Sequence, residues 1–183
     1  PYSNTRSVVE LAVGQIIMLM RFIFPRNQEL HSGVWNKTAT SSHEVRGKNL
    51  GIVGYGNIGK QLSVLAEAMG MRVYYYDIED RLALGNAVKC DTLEDLLNVS
   101  DVVSLHIDDN PANKNFIGER EIAQMRNGAF LINLSRGFVV DIPHLVEALK
   151  TKKLAGAAFD VYPTEPRKNG PFENELQQLD NVI

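Results

Sequence analysis

One stretch decides the fold of this chain: Gly51-Ile52-Val53-Gly54-Tyr55-Gly56-Asn57-Ile58-Gly59. The apolar residues 50–53 predict a buried strand. Apolar residues at helical spacing over 61–69, followed by Gly70, predict a helix and its end. Between the two, Gly54, Gly56 and Gly59 have the spacing G-x-G-x-x-G. A strand, a glycine turn and a helix in this order predict a dinucleotide site.

Each glycine of this motif has its own expected task. Gly54 permits the tight turn, Gly56 lets the backbone approach a pyrophosphate, and Gly59 lets the helix pack closely on the strand. The phosphate charge would then lie at the N-terminus of the helix, where free N–H groups and the helix dipole favour an anion.

A carboxylate in the expected place strengthens this prediction. The next predicted strand ends in Asp77, about 20 residues beyond the glycines, where a carboxylate can accept hydrogen bonds from an adenosine ribose. Asp77 would repel a 2′-phosphate, so NAD is favoured over NADP. The alternatives are a plain α/β turn with a surface aspartate and a methyltransferase that binds S-adenosylmethionine. Arg136, which follows a later strand, favours the dinucleotide.

Strands and helices alternate from residue 50 onward, which predicts an α/β fold. The predicted strands are 50–53, 72–76, 87–89, 102–107, 129–133 and 155–160. The predicted helices are 57–69, 93–97, 119–125 and 142–150, with N-caps at Asp91-Thr92 and Asp141 for the second and the last. Continuous apolar strands joined by right-handed crossovers predict a doubly wound parallel sheet of the Rossmann type. Asn181-Val182-Ile183 resembles the beginning of another strand.

Polar residues follow several of these strands, at the sheet edge where ligands bind. His106 ends an apolar strand and is either a ligand contact or a hydrogen-bonded histidine. Arg136 suits a carboxylate ligand, with a surface salt bridge as the alternative. Asp160 would orient a nicotinamide or cap the next turn. Glu165, in a proline-flanked loop, would raise the pKa of a paired histidine or stay solvated.

Composition narrows the class of protein. The 183 residues carry a net charge of −3, so no broad attraction to nucleic acid or an anionic membrane is expected. The single cysteine, Cys90, excludes an internal disulfide and any multi-cysteine zinc site, and we expect it to be buried. His31, His43 and His144 lack metal-ligand spacing, so no metal is expected. A reducing, cytoplasmic setting fits this composition.

A further helix is predicted before the sheet, opened by a capping box at Ser7 and Glu10 and ending near Pro25. Its apolar stretch, residues 8–24, is interrupted by charges and falls short of the ~20 residues that a membrane span needs. A helix apolar on nearly all sides is more often buried. We therefore expect a partner subunit or a neighbouring domain against it, and no membrane.

Motifs that carry a family resemblance run through the whole chain. They are Asn4-Thr5-Arg6-Ser7-Val8-Val9-Glu10-Leu11, Gly33-Val34-Trp35-Asn36-Lys37, Gly54-Tyr55-Gly56-Asn57-Ile58-Gly59, Tyr76-Asp77-Ile78-Glu79, Asp101-Val102-Val103-Ser104-Leu105-His106, Ile132-Asn133-Leu134-Ser135-Arg136-Gly137 and Asp160-Val161-Tyr162-Pro163-Thr164-Glu165-Pro166. With these motifs the chain resembles the cofactor domain of the D-isomer-specific 2-hydroxyacid dehydrogenases. The first two segments resemble the branch that acts on 3-phosphoglycerate.

This resemblance implies an NAD-linked oxidation of 3-phosphoglycerate to 3-phosphohydroxypyruvate, the first step of serine biosynthesis. Arg136 would bind the substrate carboxylate, and Glu165 would pair with a histidine that takes the hydroxyl proton. The expected cofactor contacts are Gly54, Tyr55, Gly56, Asn57, Ile58 and Gly59 at the pyrophosphate, Asp77 at the adenosine ribose, and His106, Leu134, Ser135, Arg136 and Asp160 toward the nicotinamide.

The resemblance also predicts how the chain is divided. Residues 1–48 would form an N-terminal helix and connecting arm that contact a second copy in a homodimer or larger assembly, and residues 49–183 would form the NAD-binding domain. The substrate domain, any regulatory domain and the catalytic histidine, which the family places in a Pro-His-Ile-Gly-like segment, are expected outside this chain. We therefore expect no measurable turnover from these residues alone.

Two other functions remain open at this stage. One is a different D-2-hydroxyacid dehydrogenase, of the glyoxylate or D-lactate type. The other is a non-catalytic NAD-sensing module similar to the transcriptional corepressors that share this fold. A pure binding module does not require Arg136 and Glu165, so their presence favours an enzyme.

Overall fold

The computed structural model describes residues 4–183 and contains one six-stranded sheet. The strands are β1 Asn49–Val53, β2 Arg72–Tyr76, β3 Val88–Lys89, β4 Val102–Leu105, β5 Ala129–Asn133 and β6 Leu154–Phe159. The α-helices are α1 Thr5–Met20, α2 Ile23–His31, α3 Asn57–Ala68, α4 Leu93–Val99, α5 Glu119–Gln124 and α6 Ile142–Lys150. Short 3₁₀ turns lie at Pro111–Asn113 and Gly137–Val139.

The sheet order is β3-β2-β1-β4-β5-β6, and all neighbouring strands are parallel. The chain runs outward from β1 to β3 and then returns to β4 on the other side of β1. This reversal places the carboxyl ends of β1 and β4 at the switch point, with Val53 opposite both Tyr76 and Leu105. A ligand crevice is expected beyond these strand ends. The predicted doubly wound parallel sheet is confirmed.

Apolar side chains fill both faces of the sheet. One cluster joins the strands to α4, α5 and α6, and includes the fully buried Leu96, Leu97 and Leu145. The other joins them to α1 and α3 and includes Ile16 and Leu62. Because both faces are covered, the central strands β1, β4 and β5 are buried along almost their whole length. Nearer the edge, β2 alternates between buried and more exposed residues.

Helix α1 covers part of the sheet within the chain itself. The helices that connect β4, β5 and β6 pack in the cluster on one face, whereas α1 contacts α3, β5 and β6 in the cluster on the other. Val9, Ala12 and Ile16 are fully buried there, while Leu11 remains exposed. The apolar character of α1 is therefore explained on one side by the sheet.

The predicted start and end of the first helix were wrong. Helix α1 begins at Thr5, and Glu10 pairs with Arg6 at 2.7 Å instead of capping at Ser7. The helix ends at Met20, and Pro25 lies inside a second helix, α2, after Phe22 in a left-handed conformation. Proline is tolerated there because the first turn of a helix needs no N–H donor.

Neither helix alone is a candidate membrane span. In the part of the chain that the structure describes, no single helix has the length and hydropathy to cross a membrane, and α1 and α2 qualify only as a pair bent by 67°. The first three residues of the predicted 1–48 region lie outside the described residues.

Most other local predictions agree with the structure. β2 and β5 have the predicted bounds, Thr92 and Asp95 form a capping box, and the side chain of Asp141 caps α6. Cys90 is buried. The strand predicted to end at residue 107 ends at Leu105, because the N–H of Ile107 leaves the ladder for the hydroxyl of Ser135.

Candidate functional site

The glycine loop lies between β1 and α3, and two of its glycines are required by packing within the protein. Gly54 has φ +93°, and a Cβ there would lie 2.4 Å from the carbonyl oxygen of His106. A Cβ on Gly59 would lie 2.3 Å from the carbonyl oxygen of Gly54. Gly59 thus allows the close packing of α3 on β1 that the sequence predicted, and Gly54 also lets the loop after β4 approach, which was not predicted.

Gly56 differs from both, because a Cβ at this position would have no neighbour within 4 Å. Among the described residues nothing explains why this position is a glycine. Gly56 is also the N-cap of α3 and offers no side chain to cap it. Asn57 and Ile58 form the first turn, whose N–H groups have no partner within the helix. Open space and free N–H groups together fit the close approach of a pyrophosphate.

Tyr55, between the first two glycines, is fully buried and stacks on Tyr75 with the ring centroids 3.8 Å apart. Its side chain therefore faces the core, and only its backbone lies in the loop. Its N–H donates to Asp77 Oδ2 at 2.7 Å. This bond connects the glycine loop to the end of β2.

Asp77 is held by backbone groups at the end of β2. Besides the N–H of Tyr55, its carboxylate accepts the N–H of Glu79 at 2.8 Å, and its side chain is only 10% exposed. Arg81 Nε lies 3.9 Å from Asp77 Oδ1, and the same guanidinium forms an ion pair with Glu79. A carboxylate has about four acceptor positions, so Asp77 retains capacity for ribose hydroxyls.

A cavity of about 220 Å³ opens beside the glycine loop and Asp77. Its lining includes Gly54, Gly56, Asp77, Ile78, Arg81, His106 and Phe116. The cavity thus brings three predicted cofactor residues, Gly54, Gly56 and Asp77, together with His106, which follows β4. It was not predicted that Arg81 would line it.

His106 forms part of this wall as a neutral side chain. Its Nε2 lies 2.8 Å from the hydroxyl of Ser104, and its buried Nδ1 has no partner in the described residues. Burial lowers the pKa of His106 to about 4, because an apolar surrounding disfavours the charged form. At neutral pH the imidazole can contact a ligand but carries no charge.

The loop after β5 is held by a network centred on Asn133. The side-chain amide of Asn133 donates to the carbonyl of Arg136 and accepts the N–H of Ser135, both at 3.0 Å. Ser135 in turn accepts the N–H of Ile107 at 3.1 Å. This network fixes the loop against the end of β4. Sequence reasoning missed the role of Asn133, although an asparagine that ends an apolar strand is a usable signal.

Close packing also joins this loop to the end of β6. A Cβ on Gly137 would lie 1.9 Å from the carbonyl carbon of Tyr162. Leu134 is nearly buried, and the N–H of Asp160 donates to the carbonyl of Asn133 at 3.3 Å. Leu134, Ser135 and Asp160 are therefore neighbours along the carboxyl edge.

The two predicted catalytic side chains are exposed and have local partners. Arg136 Nε lies 3.1 Å from Asp109 Oδ2, and the arginine side chain is 52% exposed. Glu165 is exposed and accepts the N–H of Tyr162 at 2.9 Å, so its carboxylate bonds to its own loop. Asp109, which lies on the loop after β4, was not predicted as a partner of Arg136. Among residues 4–183, no three His, Cys, Asp or Glu side chains are placed to hold a metal ion.

Comparisons with known proteins place this geometry in a family. The model of the D-isomer specific 2-hydroxyacid dehydrogenase NAD-binding domain matches residues 13–183. D-3-phosphoglycerate dehydrogenase of Escherichia coli (strain K12) is 57% identical over 184 aligned residues, which cover 100% of this chain and 45% of that protein. The chain therefore spans less than half the length of this curated relative.

Solved structures agree. NAD-dependent formate dehydrogenase from Staphylococcus aureus in complex with NAD has a TM-score of 0.92 at 26% identity. The alignment covers 100% of this chain and 54% of the formate dehydrogenase chain. D-lactate dehydrogenase with NAD⁺ from Lactobacillus jensenii has a TM-score of 0.89 at 29% identity. This alignment covers 100% of this chain and 58% of the D-lactate dehydrogenase chain. The chain belongs to the NAD-binding domains of the D-isomer-specific 2-hydroxyacid dehydrogenases.

Proposed function

We propose that this chain is the NAD-binding part of a D-3-phosphoglycerate dehydrogenase, which oxidises 3-phosphoglycerate to 3-phosphohydroxypyruvate for serine biosynthesis in the cytoplasm. The observation that carries the cofactor assignment is Gly56, whose open surroundings fit a bound pyrophosphate. The substrate assignment is supported by 57% identity to the Escherichia coli enzyme along the whole chain, against 29% to the D-lactate dehydrogenase.

In this proposal the cofactor extends along the carboxyl edge of the sheet. The glycine loop, with Gly54, Gly56 and Gly59, and the first residues of α3, Asn57 and Ile58, would bind the pyrophosphate. Asp77 would accept hydrogen bonds from the adenosine ribose and repel a 2′-phosphate. The nicotinamide half would contact His106, Leu134, Ser135, Arg136 and Asp160. Tyr55 would contribute through its backbone.

The bound NAD would supply the hydride acceptor, and the protein would position the substrate against it. Arg136 would bind the substrate carboxylate, for which it must exchange its present partner, Asp109. Glu165 would turn from its own loop to orient a catalytic histidine.

We propose that this histidine comes from outside the 183 residues. His106 is unsuited to the role, because its lowered pKa makes it a poor base and its Nε2 is engaged with Ser104. Absence of a general base alone costs on the order of 10²–10⁴ in rate, and absence of a substrate domain removes positioning as well. We therefore expect no turnover of 3-phosphoglycerate by the purified 183-residue chain. A substrate-dependent NADH signal would contradict this.

We further propose that residues 1–48 contact a second copy of the chain. Leu30 near the end of α2, and Val34 and Trp35 in the arm after it, are exposed, Trp35 at 84%. Exposed aromatic and aliphatic side chains in one segment are typical of association sites. Light scattering should therefore detect a dimer at high concentration, and Trp35→Ala should shift it toward the monomer. A wild-type chain that stays strictly monomeric would contradict the proposal.

The test of the proposed cofactor is a fluorescence titration of the 183-residue chain with NADH and, in parallel, with NADPH. We expect saturable NADH binding and an affinity for NADPH at least ~10-fold lower, because a 2′-phosphate beside the Asp77 carboxylate is repelled. Equal affinity for both nucleotides would contradict the role of Asp77. Binding of neither would contradict the site as a whole.

A further inference from the structure

The segment after β2, residues 78–86, is called here the adenosine loop. It has no α-helix or strand, yet it forms one wall of the 220 Å³ cavity through Ile78, Glu79 and Arg81. Ile78 is 87% exposed, so its own packing does not hold this wall in place. Something else must define the position of the loop.

Two buried tyrosines hold its backbone. The hydroxyl of Tyr75 donates to the carbonyl of Arg81 at 2.6 Å. The hydroxyl of Tyr55 accepts the N–H of Leu84 at 3.2 Å. The two rings stack and are almost wholly buried, so both hydroxyls are presented from a rigid platform.

Each hydroxyl group in this network has one acceptor for its proton. Ser63 donates its hydroxyl proton to the carbonyl of Lys60 at 2.8 Å. The hydroxyl of Tyr55 therefore donates to Ser63 Oγ at 2.7 Å and keeps its lone pairs for the N–H of Leu84. Burial raises the pKa of Tyr75, which keeps its hydroxyl protonated as a donor.

The loop has other contacts: the N–H of Glu79 donates to Asp77, and Arg81 pairs with Glu79. Glu67 accepts the N–H of Asn86 at 2.7 Å, and Asp80 pairs with Lys89 at 2.6 Å. The exposed ion pair between Asp80 and Lys89 contributes little to rigidity. The tyrosine hydroxyls are the buried partners of the loop, and that of Tyr75 holds the backbone of Arg81 itself.

We propose that Tyr55 and Tyr75 are positioning residues for the adenosine half of the cofactor, which they serve by holding the adenosine loop and Arg81 in place. This inference rests on the proposed NAD-binding function. It extends that function from the residues that line the cavity to two tyrosines whose side chains do not line the cavity. The other interpretation is that the two tyrosines only fill the core.

Tyr→Phe substitutions separate the two interpretations, because they keep the stacked rings and remove only the hydroxyls. The variants are Tyr55→Phe and Tyr75→Phe in the 183-residue chain. Tyr74→Phe is the matched control, since Tyr74 lies on the same strand, packs in the cluster on the opposite face of the sheet and has no role in this loop. Affinities for NADH and for AMP are measured by fluorescence titration and competition.

We expect Tyr75→Phe to weaken both NADH and AMP by a similar factor of about 3- to 10-fold, the range of one lost hydrogen bond. Tyr55→Phe should do the same, and Tyr74→Phe should bind like wild type. Hydrogen exchange should become faster at the amide of Leu84 in Tyr55→Phe, while the amides of β1 keep their protection.

Three results would overturn the inference: wild-type affinity in both tyrosine variants, an equal loss in Tyr74→Phe, or weaker NADH binding with unchanged AMP binding. A wild-type chain that binds neither nucleotide contradicts the proposed function itself, and this inference with it. That outcome is seen before any variant is compared, so the two failures are distinguishable.

Discussion

The two ends of the carboxyl edge differ in how firmly their charged side chains are held. At the adenosine end, Asp77 is nearly buried and accepts two backbone N–H groups. At the other end, Arg136 is half exposed against Asp109, and Glu165 is exposed on its own loop. We infer that the chain organises its adenosine end by itself. The charged groups of the other end have partners that a substrate or a neighbouring domain can replace.

The largest effect is expected at the end of Arg136 and Glu165. A substitution at Gly137 tests whether the backbone there is as weakly held as these two side chains. Gly137→Ala would place a Cβ 1.9 Å from the carbonyl carbon of Tyr162. We expect the free energy of unfolding to fall by about 3 kcal/mol, the upper part of the range for overpacking. Urea denaturation measures this. A loss below about 1 kcal/mol would mean that the backbone there yields easily.

The cavity wall formed by His106 should give the stability of the protein a pH dependence. The pKa of His106 is lowered from 6.5 to about 4, so between these values the unfolded chain binds more protons than the folded one. The resulting stability is fully present above pH 6.5 and is lost as the pH falls toward 4, by at most about 3 kcal/mol. Urea denaturation across this window measures it. His106→Asn, which does not titrate, should give a flatter profile, and identical profiles would contradict the lowered pKa.

Gly56→Ala separates binding from folding. Because a Cβ there meets no protein atom, we expect the free energy of unfolding to change by no more than about 1 kcal/mol, the scale of an N-cap substitution. NADH affinity should nevertheless fall at least ~10-fold, or about 1.4 kcal/mol, because the methyl group would occupy the space in which we propose that the pyrophosphate binds. Unchanged NADH binding would remove the main support for the site.

Asp77→Asn should weaken NADH binding by about 10- to 100-fold, the approximate range for a hydrogen bond to a charged group, and should reduce the preference for NADH over NADPH. The asparagine loses the negative charge and one acceptor oxygen. Asp80→Asn, on the same loop but paired with Lys89, is the matched control and should bind like wild type. Parallel titrations with both nucleotides measure the preference. An unchanged ratio would show that selectivity lies elsewhere.

The smallest effect is expected at Asp109. Its pair with Arg136 is half exposed, so Asp109→Asn should change the free energy of unfolding by less than about 1 kcal/mol and leave NADH affinity unchanged. Thermal denaturation and the NADH titration measure the two. A loss of stability as large as that expected for Gly137→Ala would mean that this end is also organised by its charged side chains.

Local patterns in the sequence were sufficient for most of the framework. The glycine spacing, the apolar strands and the cap at Asp141 each act within a few residues, so they could be interpreted without the rest of the chain. The break between α1 and α2 was missed because the residue with the left-handed conformation there is Phe22, whereas glycine is the residue that usually indicates such a conformation. Pro25 was misinterpreted because a proline is common both just after the end of one helix and in the first turn of the next. The sequence alone does not distinguish these two positions.

The residues predicted for the site lie along the carboxyl edge of the sheet, but their partners were not foreseen. Asp109 approaches Arg136 from another loop, and Arg81 approaches Asp77 across a turn without regular structure. Such contacts depend on how loops from separate strands meet, and composition and periodicity carry no information about that. For Glu165 the sequence suggested a histidine partner, whereas the structure has a backbone amide.

The edges of the sheet have a consequence for the behaviour of the protein in solution. Beside β6, Ala157 and Phe159 donate to the carbonyls of Asn181 and Ile183, so the backbone donors of this strand are already paired. At the opposite edge, β3 is only two residues long and carries Lys89. Short, charged or covered edges discourage the addition of strands from other molecules. We therefore expect few free backbone groups at either border of the described sheet for the addition of a foreign strand.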